Sequence, residues 1–240
     1  MKRVIKWSLR ILGGLVALAL ALAIAAYLMF DMPKPEGVSD QGADVLARRV
    51  QAAVEDDRWG EVEYIEWRFG GRRHHAWSRC TEEVTVTWPD AQVRLDLAAG
   101  TGTVLRGEGD ELVETARGYF FNDAFWLYPM RTFFDAGVTR TRVALAPEEI
   151  MALGVQGEAL MVTYASGGVT PGDTYLWLLD EAHRPVAWRM WVSILPIGGL
   201  KATWEDWQPL SEGPLVSRRH RLPFGMNVEI TDVKTGACPL

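Results

Sequence analysis

From Trp59 onward the apolar residues of this chain recur at every second position, and that period decides most of what it can fold into. Ile65, Trp67 and Phe69 alternate with Tyr64, Glu66 and Arg68, and Val84, Val86 and Trp88 alternate with Thr85 and Thr87. Val93, Leu95 and Leu97 alternate with Arg94 and Asp96. Successive strand side chains point to opposite faces, so each run offers one face to a core and one to water, the habit of antiparallel sheet. Gly70-Gly71, Trp88-Pro89-Asp90 and Gly100-Thr101-Gly102 separate the runs as turns. Further strands are expected near Val104 and Leu112–Glu114. In the C-terminal half they are expected over Thr139–Ala144, Leu160–Ala165, Thr174–Leu179, Val186–Leu195, Lys201–Trp207, Leu215–Arg221 and Asn227–Val233. The predicted fold class is α+β and mostly antiparallel β, a large curved sheet or incomplete barrel of about 10–11 strands packed on helices. One helix precedes the strands. Ser39 or Asp40 can cap it, and Leu46, Val50, Ala53 and Val54 recur at helical spacing.

The N-terminus follows a different rule. Lys2, Arg3, Lys6 and Arg10 precede an unbroken apolar run from Ile11 to Phe30, closed by Asp31. At helical rise such a run is about 30 Å long, the thickness of a bilayer's hydrocarbon core. All four cations sit at one end, so the positive-inside rule places the N-terminus in the cytoplasm and exports the rest. The competing reading is a cleaved signal peptide, with small-residue sites at Ala19-Leu20-Ala21 and Ala23-Ile24-Ala25. Signal-peptide apolar regions are usually only about 7–15 residues long, so length favours a retained signal-anchor. The expected organisation is an N-terminal transmembrane helix over residues 1–31, a linker over 32–42 rich in proline and glycine, and an extracytoplasmic domain over 43–240. The expected location is the cytoplasmic membrane, single-pass, with the main domain periplasmic or extracellular.

All 31 acidic residues lie beyond Phe30, with all but four of the 25 basic ones. A domain that acidic is poorly suited to nucleic acid or to lying flat on anionic lipid. Its two cysteines, Cys80 and Cys238, lie in the exported part, where an oxidising compartment permits a disulfide. The sequence leaves open whether they pair.

Two strands break the one-face rule. Tyr175-Leu176-Trp177-Leu178-Leu179 is apolar on both faces, and in Ala187–Val192 Trp188 and Trp191 project from opposite sides. Such strands need cover on both sides, supplied by a helix or by an apolar cavity. The densest aromatic stretch is Phe120–Asp135, in which Asn122 or Asp123 can cap a short helix that Pro129 stops. A segment so loaded must be covered. It is either a plug for the sheet's open face or the lid of an apolar site.

The order of these parts resembles the lipoprotein-carrier family of the Lol system (LolA/LolB-like). The resemblance rests on the N-terminal helix, Trp67-Arg68-Phe69-Gly70-Gly71 followed by His75-Ala76-Trp77, and the N-D-x-x-W-L-x-x-P pattern at Asn122–Pro129. Asp135–Val138, Tyr175–Leu178 and Arg184-Pro185 extend it. It implies an incomplete antiparallel barrel around helices, with an apolar cavity for acyl chains, over roughly Asp44 to Val233. A permanent anchor departs from a soluble shuttle and favours a tethered relative.

Motifs for chemistry are mostly absent. Gly100-Thr101-Gly102-Thr103-Val104-Leu105 lacks the third glycine of a dinucleotide fingerprint, and Arg106-Gly107-Glu108-Gly109-Asp110 beyond it is turn-like. Ala165-Ser166-Gly167 has Tyr164 where a nucleophile elbow needs glycine. His74 and His75 point to opposite faces of a strand, and no paired-ligand spacing exists for a metal. Arg72-Arg73 and Arg218-Arg219-His220-Arg221 read as partners of surface acids. No catalytic residue, metal or cofactor is therefore predicted. The expected function is binding of an apolar or acylated ligand, a lipid or lipoprotein, with Phe125, Trp126, Tyr128, Phe133, Trp177, Trp188 and Trp191 lining the site. The alternative is a structural or interaction protein of the envelope whose core is full and whose aromatic segment docks a partner. A hydrolase built from dispersed residues is a third reading. The expected partners are the membrane, through residues 11–30, and a lipid or acylated protein, without nucleic acid.

Overall fold

The computed structural model describes residues 7, 10–18, 21, 24–25, 27, 31–165 and 171–238. Among the described residues no helix is long and apolar enough to cross a membrane. The expected anchor includes residues 19, 20, 22, 23, 26 and 28–30, which lie outside the described ones.

Helix α1 (Gln41–Ala53) begins where its cap dictates, with Asp40 Oδ1 accepting from the Ala43 amide at 3.0 Å. Its face of Ala43, Leu46, Ala47 and Val50 is buried. A 3₁₀ turn (Asp56–Glu61) leads to the meander β1 (Tyr64–Phe69), β2 (Arg73–Ser78), β3 (Glu83–Trp88), β4 (Ala91–Asp96) and β5 (Thr101–Arg106). Helix α2 (Glu111–Leu127) and a 3₁₀ turn (Pro129–Thr132) follow. Next come β6 (Val138–Ala144), α3 (Pro147–Leu153), β7 (Glu158–Tyr164), β8 (Thr174–Leu179), β9 (Pro185–Trp191) and β10 (Leu200–Thr203). The chain closes with β11 (Glu205–Pro209), β12 (Leu215–Arg221), a 3₁₀ turn (Pro223–Gly225) and β13 (Asn227–Gly236).

The strands are antiparallel, as the pattern suggested, and form two open sheets where it suggested one large curved sheet or incomplete barrel of about 10–11 strands. One has eight strands in the order β11-β12-β13-β1-β2-β3-β4-β5, the other five in the order β10-β9-β8-β7-β6. The long-range step is β13 returning to pair with β1, Ile65 opposite Thr235 and Phe69 opposite Ile230. The expected strand Lys201–Trp207 is two strands, β10 in one sheet and β11 in the other. Between them Trp204 is buried, with its amide bonded to Val186 O at 2.8 Å. The expected strand Val186–Leu195 stops at Trp191, because Val192–Gly199 is a loop.

Two further expectations are corrected in α2. Leu112–Glu114 is helical, and neither Asn122 nor Asp123 caps anything, because the helix starts at Glu111. Ala116, Phe120, Asp123, Ala124 and Leu127 form its buried stripe, and the carboxylate in that stripe disguises the helical period. The stripe packs on the inner face of the eight-stranded sheet, against Ile65, Trp67, Val84, Val86, Val93 and Leu95.

The five-stranded sheet is covered on both faces. Its inner face, with Leu160, Val162, Trp177, Trp188 and Met190, meets α1 and the Met130–Phe133 turn. Its outer face, with Met161, Leu176, Leu178 and Ala187, carries Leu153 and Val155 at the end of α3. Residues 31–39, a linker by composition, are docked: Val38 bridges Arg142 on β6, and Met32 N donates to Gly198 O at 3.0 Å. Cys80 and Cys238 form a disulfide with their α-carbons 6.4 Å apart, tying the end of β13 to the β2–β3 turn. Closing a loop of 158 residues stabilises a fold by about 5 kcal/mol in chain-entropy terms.

Candidate functional site

The second half of α2 brings its aromatic residues to the seam between the sheets. Phe125 lies 5.9 Å from Trp188, nearly parallel to it, and 5.0 Å from Tyr175. Trp126 meets Trp188 at 4.7 Å and His220 at 5.0 Å. Phe133, just past the 3₁₀ turn, sits edge-on to Trp177 at 5.6 Å. Pro129 makes this possible: it ends the helix and turns the chain back over the sheet. Two hydrogen bonds pin that turn, Gln51 Nε2 to Met130 O at 2.8 Å and Thr132 Oγ1 with the Tyr164 hydroxyl at 2.8 Å.

Five of the seven residues expected to line a site therefore converge: Phe125, Trp126, Phe133, Trp177 and Trp188. Tyr128 does not join them. It faces the other core, 4.9 Å from Trp59 and 5.8 Å from Trp77, and burial pushes its hydroxyl pKa up. Trp191 is on the outer face of the five-stranded sheet, where Nε1 donates to Met32 O at 2.7 Å. Trp204 and His220 complete the cluster in their place, 4.4 Å apart, with Trp204 also 5.0 Å from Trp188. Neither was legible as a site residue. Trp204 sits beside two acids in a strand that looks half-solvated, and His220 lies among three arginines.

The polar edges of this cluster are unusual. The indole nitrogens of Trp177, Trp188 and Trp204 and His220 Nε2 are all buried without a hydrogen-bond partner. Buried polar atoms nearly always have one, and each left unmade costs about 1–3 kcal/mol. His220 Nδ1 lies 3.0 Å from Thr203 O, which fixes that nitrogen as the donor. Burial lowers the His220 pKa to about 4, with the Thr203 bond opposing it, so the ring is neutral at pH 7. Its bare Nε2 is thus an acceptor, on a ring in contact with Trp204 and Trp126. Burial also raises the pKa of Tyr164 and Tyr175.

A second buried polar group lies in the eight-stranded core. Asp123 Oδ2 accepts from His75 Nε2 and from Arg73 Nε, both at 2.7 Å, and Oδ1 accepts from Arg73 Nη2 at 2.7 Å and Asn122 Nδ2 at 2.9 Å. Asp123 and His75 are fully buried, and the imidazole stacks on Trp67 at 4.7 Å. Arg73 closes the group from outside, over Tyr119 at 4.6 Å. His75 Nδ1 has no partner, so no hydroxyl or thiol is joined to this Asp–His pair among the described residues. A nucleophilic triad needs that third member. The arrangement can brace α2 against β2. The pairing of Arg73 with a buried helix carboxylate, where a surface acid was expected, is a finding of the fold. The other histidines do not join it: His74 is 3.7 Å from Glu66 on the outer face, and His183 stands in a turn at φ 65°.

Glu63, Cys80 and Cys238 approach one another closely enough for a metal, but the disulfide removes both thiolates. Two surface depressions lie away from the aromatic cluster. One of about 260 Å³ is lined by polar residues of β11–β13, the other of about 350 Å³ by Arg68, Arg72, Trp88 and Arg106.

No protein-family model matches the chain, and no curated protein matches it. Among solved structures it is similar to a DUF1329 family protein from Desulfovibrio piger, at 9% identity and TM-score 0.43, over 83% of this chain and 94% of that one. It is also similar to a putative outer membrane lipoprotein-sorting protein domain from Vibrio parahaemolyticus, at 10% identity and TM-score 0.36, over 80% of this chain and 93% of that one. At such scores neither likeness carries an argument, and the functional reading rests on the chain's own residues.

Proposed function

We propose that this is a membrane-tethered extracytoplasmic protein that binds an apolar or acylated ligand without covalent chemistry, against the inner face of the five-stranded sheet. The observation that carries this reading is the set of buried, unpaired polar atoms on Trp177, Trp188, Trp204 and His220 inside an otherwise apolar cluster. Trp67 and Trp77 in the other core also bury unpaired indole nitrogens, but here three such donors are in mutual ring contact, Trp188 lying 4.9 Å from Trp177 and 5.0 Å from Trp204. An acyl chain ending in an ester or carboxyl oxygen suits them, because its tail is desolvated among the rings while its oxygens accept the N–H bonds. The rings are in contact, so entry requires the Phe125–Phe133 segment to lift. Its two pins, on Met130 O and Thr132, are partly exposed hydrogen bonds that can be exchanged for bonds to water at small net cost. Residues 11–30 act as the retained anchor and hold the acidic domain outside the cytoplasm.

A specific observation favours a second reading. Phe133, Trp177 and Trp188 are completely buried at ring-contact distances, as a full core requires. In that case the domain is an envelope interaction module, and Phe121, the exposed aromatic of the segment, faces its partner.

Photo-crosslinking separates the two. The full chain in lipid nanodiscs is exposed to a photoreactive fatty acid, with and without excess unlabelled fatty acid. The binder reading expects competable adducts on peptides carrying Phe125, Trp126 and Trp188. Adducts confined to residues 11–30, or unaffected by competitor, would sink it in favour of the filled core.

A further inference from the structure

The place where the N-terminal helix meets the domain is built, with Asp173 accepting from Ser193 N at 2.9 Å and Arg189 Nη1 3.2 Å from Met32 Sδ, and the loop beside it is uncharged. Asp31 N donates to Tyr27 O at 2.8 Å. The Asp31 carboxylate then accepts from Gly198 N at 2.8 Å, Met32 N donates to Gly198 O at 3.0 Å, and Trp191 Nε1 donates to Met32 O at 2.7 Å. Only glycine fits on the receiving side. A Cβ at Gly198 would stand 2.5 Å from the Trp191 ring, and one at Gly199, already at φ 76°, 2.7 Å from Met32 Cβ. The exit of the apolar helix is thereby fixed against the β9–β10 loop.

That loop carries no charge from Met190 to Leu200, and it holds Ile194 out at 74% exposure, beside Leu195 at 37%. The neighbouring tip, Leu222–Met226, packs beside β10 at the same end of the sheet. It too is uncharged, and it exposes Met226. At the opposite end of the same strands the β8–β9 turn reads Asp180-Glu181-Ala182-His183-Arg184, four of its five residues polar or charged. One end of the sheet is therefore made for water. The other presents aliphatic side chains where an apolar helix leaves the domain.

We propose that the β9–β10 loop, with Ile194 and Leu195 at its tip, inserts into the outer leaflet beside the anchor and fixes the domain's orientation on the bilayer. The inference rests on the anchor reading above and adds a second contact to it. An uncharged aliphatic loop held at the exit of a membrane helix has a bilayer as its neighbour by construction. The domain's net acidity argues against attraction through headgroup charge, so the contact is apolar. A domain held in this way keeps one fixed face toward the lipid, where a domain on a single helix would swivel.

The test uses the full chain in phosphatidylcholine/phosphatidylglycerol vesicles, with an environment-sensitive fluorophore on Ile194→Cys and, as control, on Glu181→Cys in the β8–β9 turn. Carbonate extraction is done first. The expected result is a chain that resists extraction, with the label at 194 blue-shifted and quenched several-fold more by doxyl lipid than the label at 181. If the chain is extracted, the anchor reading falls and this inference with it. If the chain is retained but aqueous iodide quenches 194 as readily as 181, the anchor stands and the loop contact is overturned.

Discussion

The molecule has two interiors, and they differ in how they hold a buried charge: the eight-stranded core pairs one, although it too leaves Trp67 Nε1, Trp77 Nε1 and His75 Nδ1 without partners. In the eight-stranded core the buried carboxylate of Asp123 has both oxygens satisfied by His75, Arg73 and Asn122. At the seam of the five-stranded sheet, four buried polar atoms have no partner. A satisfied charge network fixes one packing of a helix on a sheet, because sliding α2 by one residue would strand a buried charge. An unsatisfied cluster does the reverse. It leaves free energy to be gained by whatever can supply acceptors. The charge network makes the first interior the frame, and the proposed binding reading places the ligand in the second.

The comparison is broken most easily at Asp123. Replacing Asp123 with Ala leaves Arg73 and His75 without their acceptor, and the expected loss is about 3–5 kcal/mol of unfolding free energy. Guanidinium titration of the full chain in mild detergent, followed by circular dichroism, reads it directly. A loss below about 1 kcal/mol would mean that the network is not the frame.

His220 tests the other interior through pH. Its folded pKa of about 4 lies below its ordinary value of 6.5, so the unfolded chain binds the extra proton first. The stabilising effect of keeping this ring neutral is complete above the unfolded value and is lost as pH falls from 6.5 toward 4. A shift of that size corresponds to about 3 kcal/mol. Stability measured across this window should fall more steeply in the wild type than in His220→Gln. Equal slopes would show that the ring is not buried as neutral imidazole.

Trp188→Phe sharpens the contrast at a smaller scale. It removes one unpaired indole donor together with some packing, so the two effects offset and stability should change by no more than about 1 kcal/mol. Competable fatty-acid crosslinking should nevertheless fall several-fold. A large destabilisation with unchanged crosslinking would identify Trp188 as ordinary core. The smallest effect belongs to the surface. Arg68→Ala removes a solvent-exposed pair with Asp232 at 3.2 Å, and its expected cost is under about 0.5 kcal/mol by the same titration.

The two sheets also differ in how far the sequence announces them. In β1, β3 and β4 the alternation is clean, and the residues it assigns to the core, Ile65, Trp67, Val84, Val86, Val93 and Leu95, are buried. In β8 every residue is buried on both faces, and period two says nothing about what covers each. The covers, α3 and residues 31–39, do not stand out. Pro147–Leu153 is too short for a period to show, and residues 31–39 have the composition of a linker.

By itself the sequence determined the antiparallel habit, a capped start of α1 at Ser39 or Asp40, the apolar run at the N-terminus and the density of aromatic residues before Pro129. These depend on neighbours within a turn or a strand, and local pattern reports them. The tertiary structure alone decided what each apolar face meets. It paired β13 with β1 across more than 160 positions, placed Cys238 within bonding reach of Cys80, and set Asp123 on His75. It also split the expected aromatic site, sending Trp191 to the outer face and Tyr128 to the other core, and filled their places with Trp204 and His220. Alternation tells a residue which side of its own strand it is on. Which element waits on that side is fixed by closure of the whole chain, and no local period encodes it.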